Sequence, residues 1–137
     1  DTKRFNERIQ VMREYHDSIE VLPGLHSNGS LTLGENMADH GGLMVSYQAF
    51  VNATAQAPLS DKDGFTPAQR FFLAYANVWG QNIRDEEIRK RVKSDPHSLG
   101  KWRVNGQMPH MDAWYEAFGI TEQDPMFVPK EKRVTIW

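Results

Sequence analysis

Residues 33 to 42, Leu33-Gly34-Glu35-Asn36-Met37-Ala38-Asp39-His40-Gly41-Gly42, hold the densest group of side chains able to do chemistry. On a helix, Glu35 and Asp39 stand four positions apart and project from one face. Two carboxylates there repel unless a positive group lies between or beside them. A metal with an imidazole ligand resolves that conflict: Glu35 binds the ion and Asp39 accepts the free ring N–H of the ligating histidine. The same letters also suit plain helix chemistry. Thr32-x-x-Glu35 has the spacing of a capping box, and acidic residues are favoured in a first turn. A self-contained metal site from His26, Glu35, Asp39 and His40 is a further option.

A second group runs from Asp95 to Gly106, with Asp95, His97 and Arg103 among its titratable members. A carboxylate two residues from a histidine favours the charged imidazole, and an imidazolium is a strong donor to a developing oxyanion. Arginine's planar fork suits capture of a carbonyl or carboxylate. The bland alternatives are a histidine closing the Asp95-Pro96 turn and a solvated surface arginine.

The elements that must position these groups read as helices. Phe5, Ile9, Met12, His16 and Ile19 recur at helical spacing, giving an amphipathic helix over residues 2 to 20 that Pro23-Gly24 stops. A second helix is expected from about Thr32 to Ala57, ended by Pro58, with a polar loop from Leu59 to Phe65. Thr66-Pro67-x-Gln69 is a capping box with proline at the first helical position. The helix it opens runs to Asp95-Pro96, with Phe71, Phe72, Tyr75, Val78 and Trp79 on a wide apolar surface that should be mostly buried. A loop to about Pro109, a short helix to Phe118 capped by Gly119, and an irregular tail follow. No strand is expected; Val134 to Trp137 is too short to count.

Bulk properties narrow the classes. The 137 residues suit one helical domain, residues 1–137, with 39% hydrophobic and 25% charged residues. A net charge of -2 gives no bulk case for binding nucleic acid or an anionic membrane. With no cysteine, any metal must be held by histidine, carboxylate or carbonyl groups. No apolar run approaches the roughly 18 residues that span a bilayer. The charged start, without methionine or an apolar leader, gives the expectation of a chain cut from something longer.

The string from Leu33 to Gly42 closely resembles the signature of the neprilysin family of zinc metallopeptidases, and the Asp95–Gly106 and Phe65–Trp79 segments are similar to it as well. The resemblance implies a mainly α fold, the C-terminal helical portion of a thermolysin-like catalytic domain. It implies that Glu35 is the third zinc ligand and that Asp39 supports a zinc-bound histidine. It implies that His97, oriented by Asp95, donates to the oxyanion, and that Arg103 binds the substrate beyond the scissile bond. Val78 and Trp79 would line the pocket for the side chain after that bond. The family's H-E-x-x-H is absent here: no two histidines are four apart. Zinc, peptide substrates and the N-terminal remainder of the same enzyme are therefore the implied cofactor and partners, and the chain alone is expected to be inactive. Self-association of an isolated lobe is expected through apolar surface around Val78 and Trp79. The resemblance further implies an extracytoplasmic, bacterial-type protein and a terminal Trp137 anchored in the fold. The alternative is a non-catalytic helical binding or interaction module that keeps peptidase-like residues.

Overall fold

The computed structural model describes residues 1–134 and Ile136; the expected Trp137 anchor lies outside the described residues. Six α-helices, two 3-10 turns and one short hairpin are the elements of the described residues. The first helix, α1 (Thr2–Asp17), turns its Met12 and His16 inward. It ends three residues before the expected position 20, because the Ser18 hydroxyl and N–H both turn back on the last carbonyls. Residues 20 to 26 then form an antiparallel hairpin, β1 (Glu20–Leu22) and β2 (Leu25–His26). Pro23-Gly24, expected only to stop a helix, is its turn, with Gly24 at φ 73°. Proline followed by a glycine in the left-handed region is what such a turn requires.

Helix α2 (Gly29–Gln56) starts three residues earlier than expected. Its cap is Asn28, whose side chain accepts from the Leu31 N–H, and not the Thr32–Glu35 box. Thr32 is buried and donates its hydroxyl to the Asn28 carbonyl, so Glu35 sits well inside the helix. Gly29 fixes the crossing of α1 and α2: a Cβ there would run into the Arg13 carbonyl oxygen. Its N–H also donates to Asp17 Oδ1 at 2.6 Å.

The expected capping box opens α3 (Pro67–Val78) as the sequence indicates, with Thr66 and Gln69 satisfying each other's backbone. The expected single helix to Asp95 is two. Helix α3 stops at Val78, Trp79 leaves helical geometry, and α4 (Asp85–Ser94) begins afresh after residues 79–84. The new start has its own signal, Asp85-Glu86-Glu87 in the first turn against Arg91 and Lys93 in the last, matching the helix dipole. Burial on α3 is also narrower than expected: Phe72 is buried, whereas Leu73 and Val78 are exposed.

The expected loop to Pro109 contains α5 (Gly100–Asn105) and a single 3-10 turn (Met108–His110). Helix α6 (Asp112–Phe118) ends at Gly119, φ 64°, as expected. The core gathers Leu43 of α2, Phe72 of α3, Met108, Met111 and Trp114 and Tyr115 of α6. The tail is tied to it by Tyr115, whose hydroxyl donates to the Pro109 carbonyl and accepts from the Val128 N–H. Three histidines from three elements, His16, His40 and His110, are buried in a second, polar layer where α1, α2 and the 3-10 turn meet.

Candidate active site

Glu35 and Asp39 share the face of α2 that meets the segment from Asp95 to Arg103, so the two sequence groups converge. His97 Nε2 lies 3.3 Å from Glu35 Oε2, and its Nδ1 lies 2.9 Å from Asp95 Oδ1. The same Asp95 oxygen accepts the His97 backbone N–H at 2.9 Å, and Arg91 donates Nε to the other oxygen at 2.7 Å. These bonds, the His97 N–H first, hold the Asp95 carboxyl well below its ordinary range, at about 2. Asp95 therefore fixes His97 twice, at the backbone and at the ring.

One turn along α2, Asp39 takes both prongs of Arg103: Nε to Oδ2 at 2.7 Å and Nη2 to Oδ1 at 2.6 Å. The side chains are only 16% and 13% exposed, where a bidentate pair is strong. Its hydrogen bond to Asp39 raises the Arg103 guanidinium further. The Arg103 guanidinium lies 3.8 Å from the centre of the Trp79 ring, a cation–π contact. Tyr75 donates its hydroxyl to the Arg103 carbonyl at 3.0 Å, and burial, with the Asp39 charge added, pushes that phenol up to about 12. The Asp39 charge is thus answered from within the chain by Arg103, while Glu35 has the His97 ring beside it.

Val78 lines an open groove of about 400 Å³ between α2 and α3, with Ala38, Asp39, Gly42, Phe71 and Tyr75. Trp79 is not among the residues lining this groove and lies under Arg103. Val78 is 70% exposed. A second depression of similar size, about 390 Å³ between Met44, Tyr47, His110 and Arg133, shares no residue with the site.

No group of three histidine, cysteine or acidic side chains able to hold a metal occurs among the described residues. The four-residue set His26, Glu35, Asp39 and His40 is accordingly not assembled: His40 is buried away from Glu35 in the histidine layer. Glu35, at 45% side-chain exposure and paired with His97, keeps a carboxylate oxygen that could take one bond to a metal ion. The donor set fits zinc as one ligand of several.

Peptidase family M13 matches residues 1–134. The chain belongs to this family. Neprilysin-3 of Drosophila melanogaster is 34% identical over 85% of the chain, and the neutral endopeptidase of Lactobacillus helveticus is 34% identical over all of it. The crystal structure of the Mycobacterium tuberculosis zinc metalloprotease Zmp1 with an inhibitor superposes with a TM-score of 0.95 at 34% identity, covering 100% of the chain. The chain spans 15% and 19% of those two relatives and 22% of the Zmp1 chain. Mainly helical architecture, as the sequence indicates, is that of the corresponding M13 region.

Two residues of the site escape sequence reasoning. Asn36 is wholly buried between the two acidic positions, and Ser98 follows His97; Ser98 donates its hydroxyl to Asn36 Oδ1 at 2.7 Å. The available signal was the run Asn28, Thr32, Asn36, polar residues at helical spacing on one stripe.

Proposed function

We propose that this chain is the C-terminal part of the catalytic domain of a zinc endopeptidase acting on peptides. The observation that carries the reading is the convergence of Glu35 with an Asp95-oriented His97 on a family M13 scaffold. Glu35 would be one ligand of a zinc ion whose remaining ligands lie in the N-terminal remainder of the enzyme. Bound zinc would lower the pKa of a water and polarise the scissile carbonyl.

The chain's own residues do the rest by position. His97 would present Nε2–H to a carbonyl oxygen gaining charge near Glu35, while Asp95 holds the opposite nitrogen. Arg103 uses two of its five N–H donors on Asp39, leaving others for a substrate carbonyl or carboxylate. Asp39, so clamped, keeps lone pairs for the ring N–H of a ligating histidine. The groove at Val78 would receive the apolar side chain beyond the cleaved bond, with Trp79 acting through Arg103. In the intact enzyme the exposed apolar residues Val45 and Val78 would face the N-terminal remainder; in isolation they would promote self-association. Kinship with the neprilysins supports a place outside the cytoplasm; no described helix is long and apolar enough to cross a membrane.

Two measurements test this reading. The isolated chain should bind zinc weakly and cleave no peptide. The intact parent should bind one zinc per chain, lose it on Glu35→Gln, and keep it on His97→Gln while kcat falls roughly 10²–10³-fold. A parent that binds no zinc would leave the helical interaction module as the surviving reading.

A further inference from the structure

Glu35 and His97 stand 62 positions apart in sequence, and the segment bearing His97 is weakly anchored on its N-terminal side. Helix α4, which leads into it, buries only Ile88. Asp95 orders the His97 ring relative to its own loop and to Arg91 of α4, but none of these hydrogen bonds reaches α2. The Arg103–Asp39 clamp ties the C-terminal end of the segment to α2; a contact nearer His97 is needed to set the loop's distance from Glu35.

Asn36 and Ser98 are the residues directly after Glu35 and His97. Asn36 is fully buried, and its carboxamide is used at both ends: Nδ2 donates to Thr32 Oγ1 at 2.9 Å, and Oδ1 accepts from Ser98 Oγ at 2.7 Å. Thr32 Oγ1 in turn donates to the Asn28 carbonyl at the helix start, 2.9 Å away. The result is a polar ladder along one stripe of α2, with its orientation set because each group gives and receives. Ser98 is the last rung and is itself buried. In a buried setting such a bond is strongly directional, since a lost partner leaves an unsatisfied polar atom.

We infer that Asn36 and Ser98 are positioning residues, their buried hydrogen bond setting the register of Glu35 against His97. The inference rests on the reading of these two side chains as active-site groups, but its test does not require activity. The chain is labelled with ¹⁵N-histidine and followed by NMR at one fixed pH near neutrality. Glu35→Gln in the native chain should move the His97 Nε2 resonance. In a Ser98→Ala background the same Glu35→Gln change should move it by well under half as much. Ser98→Thr keeps the hydroxyl and has the small gap beside Thr32 and Val92 for its methyl; it should restore the response. Far-UV circular dichroism checks that each variant is folded, and Ser98→Cys replaces Ser98→Ala should the latter not fold. An undiminished response without the hydroxyl, or no recovery in Ser98→Thr, overturns the inference. A parent enzyme without zinc or activity would defeat the functional reading while leaving this coupling measurable.

Discussion

At the scale of single residues, the Arg103–Asp39 pair and Glu35 should behave oppositely. The pair is nearly buried, bidentate and stacked on Trp79, so Arg103→Lys keeps the charge but loses the fork and the stacking surface. A double-mutant cycle with Arg103→Ala and Asp39→Ala in urea unfolding should give a coupling on the order of 2 kcal/mol. A value within error of zero would reduce the pair to a solvated contact. Glu35 is half-exposed and paired with His97 among the described residues, and Glu35→Gln should change the stability of this chain by no more than about 0.5 kcal/mol. A loss several times larger would make Glu35 a structural residue. The sequence showed which residue types could do chemistry, because Glu35–Asp39 spacing is local and Asp95-Pro96-His97 is contiguous. It did not show that Arg103 would neutralise Asp39, since that pairing spans 64 positions and depends on where α5 lands. Nor did it show Trp79 beneath Arg103, because helical spacing on a presumed continuous helix had placed Trp79 beside Val78.

At the scale of elements, glycines show where helices touch. Gly29 stands where α1 and α2 cross with no room for a methyl group, so Gly29→Ala should cost about 1–3 kcal/mol through forced separation of the helices. Gly34, on the same helix, has open space around its missing side chain. Gly34→Ala should stabilise by roughly 0.5–1 kcal/mol, the ordinary gain for a helix interior. Thermal melts of the two variants should move in opposite directions; a shift of the same sign in both would break the argument. The helix starts with a local signature were legible: the Thr66–Gln69 box and the Gly119 cap sit where the pattern indicates. The break at Trp79 was missed because the apolar spacing continues through it and outweighed the local stop signal of Gly80. Gly100 opens α5 with the Trp79 carbonyl and the Gln81 side chain packed where its side chain would be. The hairpin at Pro23-Gly24 was missed for another reason: its strands are too short for alternation to register.

At the scale of the whole molecule, the histidine layer makes the fold acid-sensitive in a window of its own. His16 comes from α1, His40 from α2 and His110 from the 3-10 turn. His16 packs against Gly106 at the end of α5, where a Cβ would strike its ring. Tyr15 lies edge-on to His110 with centroids 4.7 Å apart. His110 Nδ1 accepts from the Val134 N–H, and the His16 ring nitrogens find no hydrogen-bond partner among the described residues. The charged groups nearby offer little help to an imidazolium. Asp17 favours a charged His16 but is outweighed by burial, and Arg133 and the other two histidines oppose a charged His110. Burial holds His16 and His40 down at about 4 and His110 at about 3, against an ordinary 6.5. Between pH about 6.5 and about 4 the unfolded chain therefore binds more protons than the folded one, so stability is full above that window and falls on acidification. Each histidine contributes a slope of about 1.4 kcal/mol per pH unit at most. The low-lying carboxyls Asp95 and Asp112 act only later, since their stabilisation is lost below the ordinary aspartate value of 3.8. Acid loss should thus come in two stages, histidines first. Urea unfolding at a series of pH values should show stability falling steeply through the upper window, and replacing His110 by Asn should flatten that slope by about a third. Stability that stays level down to pH about 4 would mean the three rings are hydrated and titrate freely. Because the same layer joins α1 and α2 to the end of α5, which carries Arg103, the first stage should also release the Arg103–Asp39 clamp. Trp79 fluorescence, sensitive to the guanidinium stacked on its ring, should change within the histidine window and ahead of the carboxylate one.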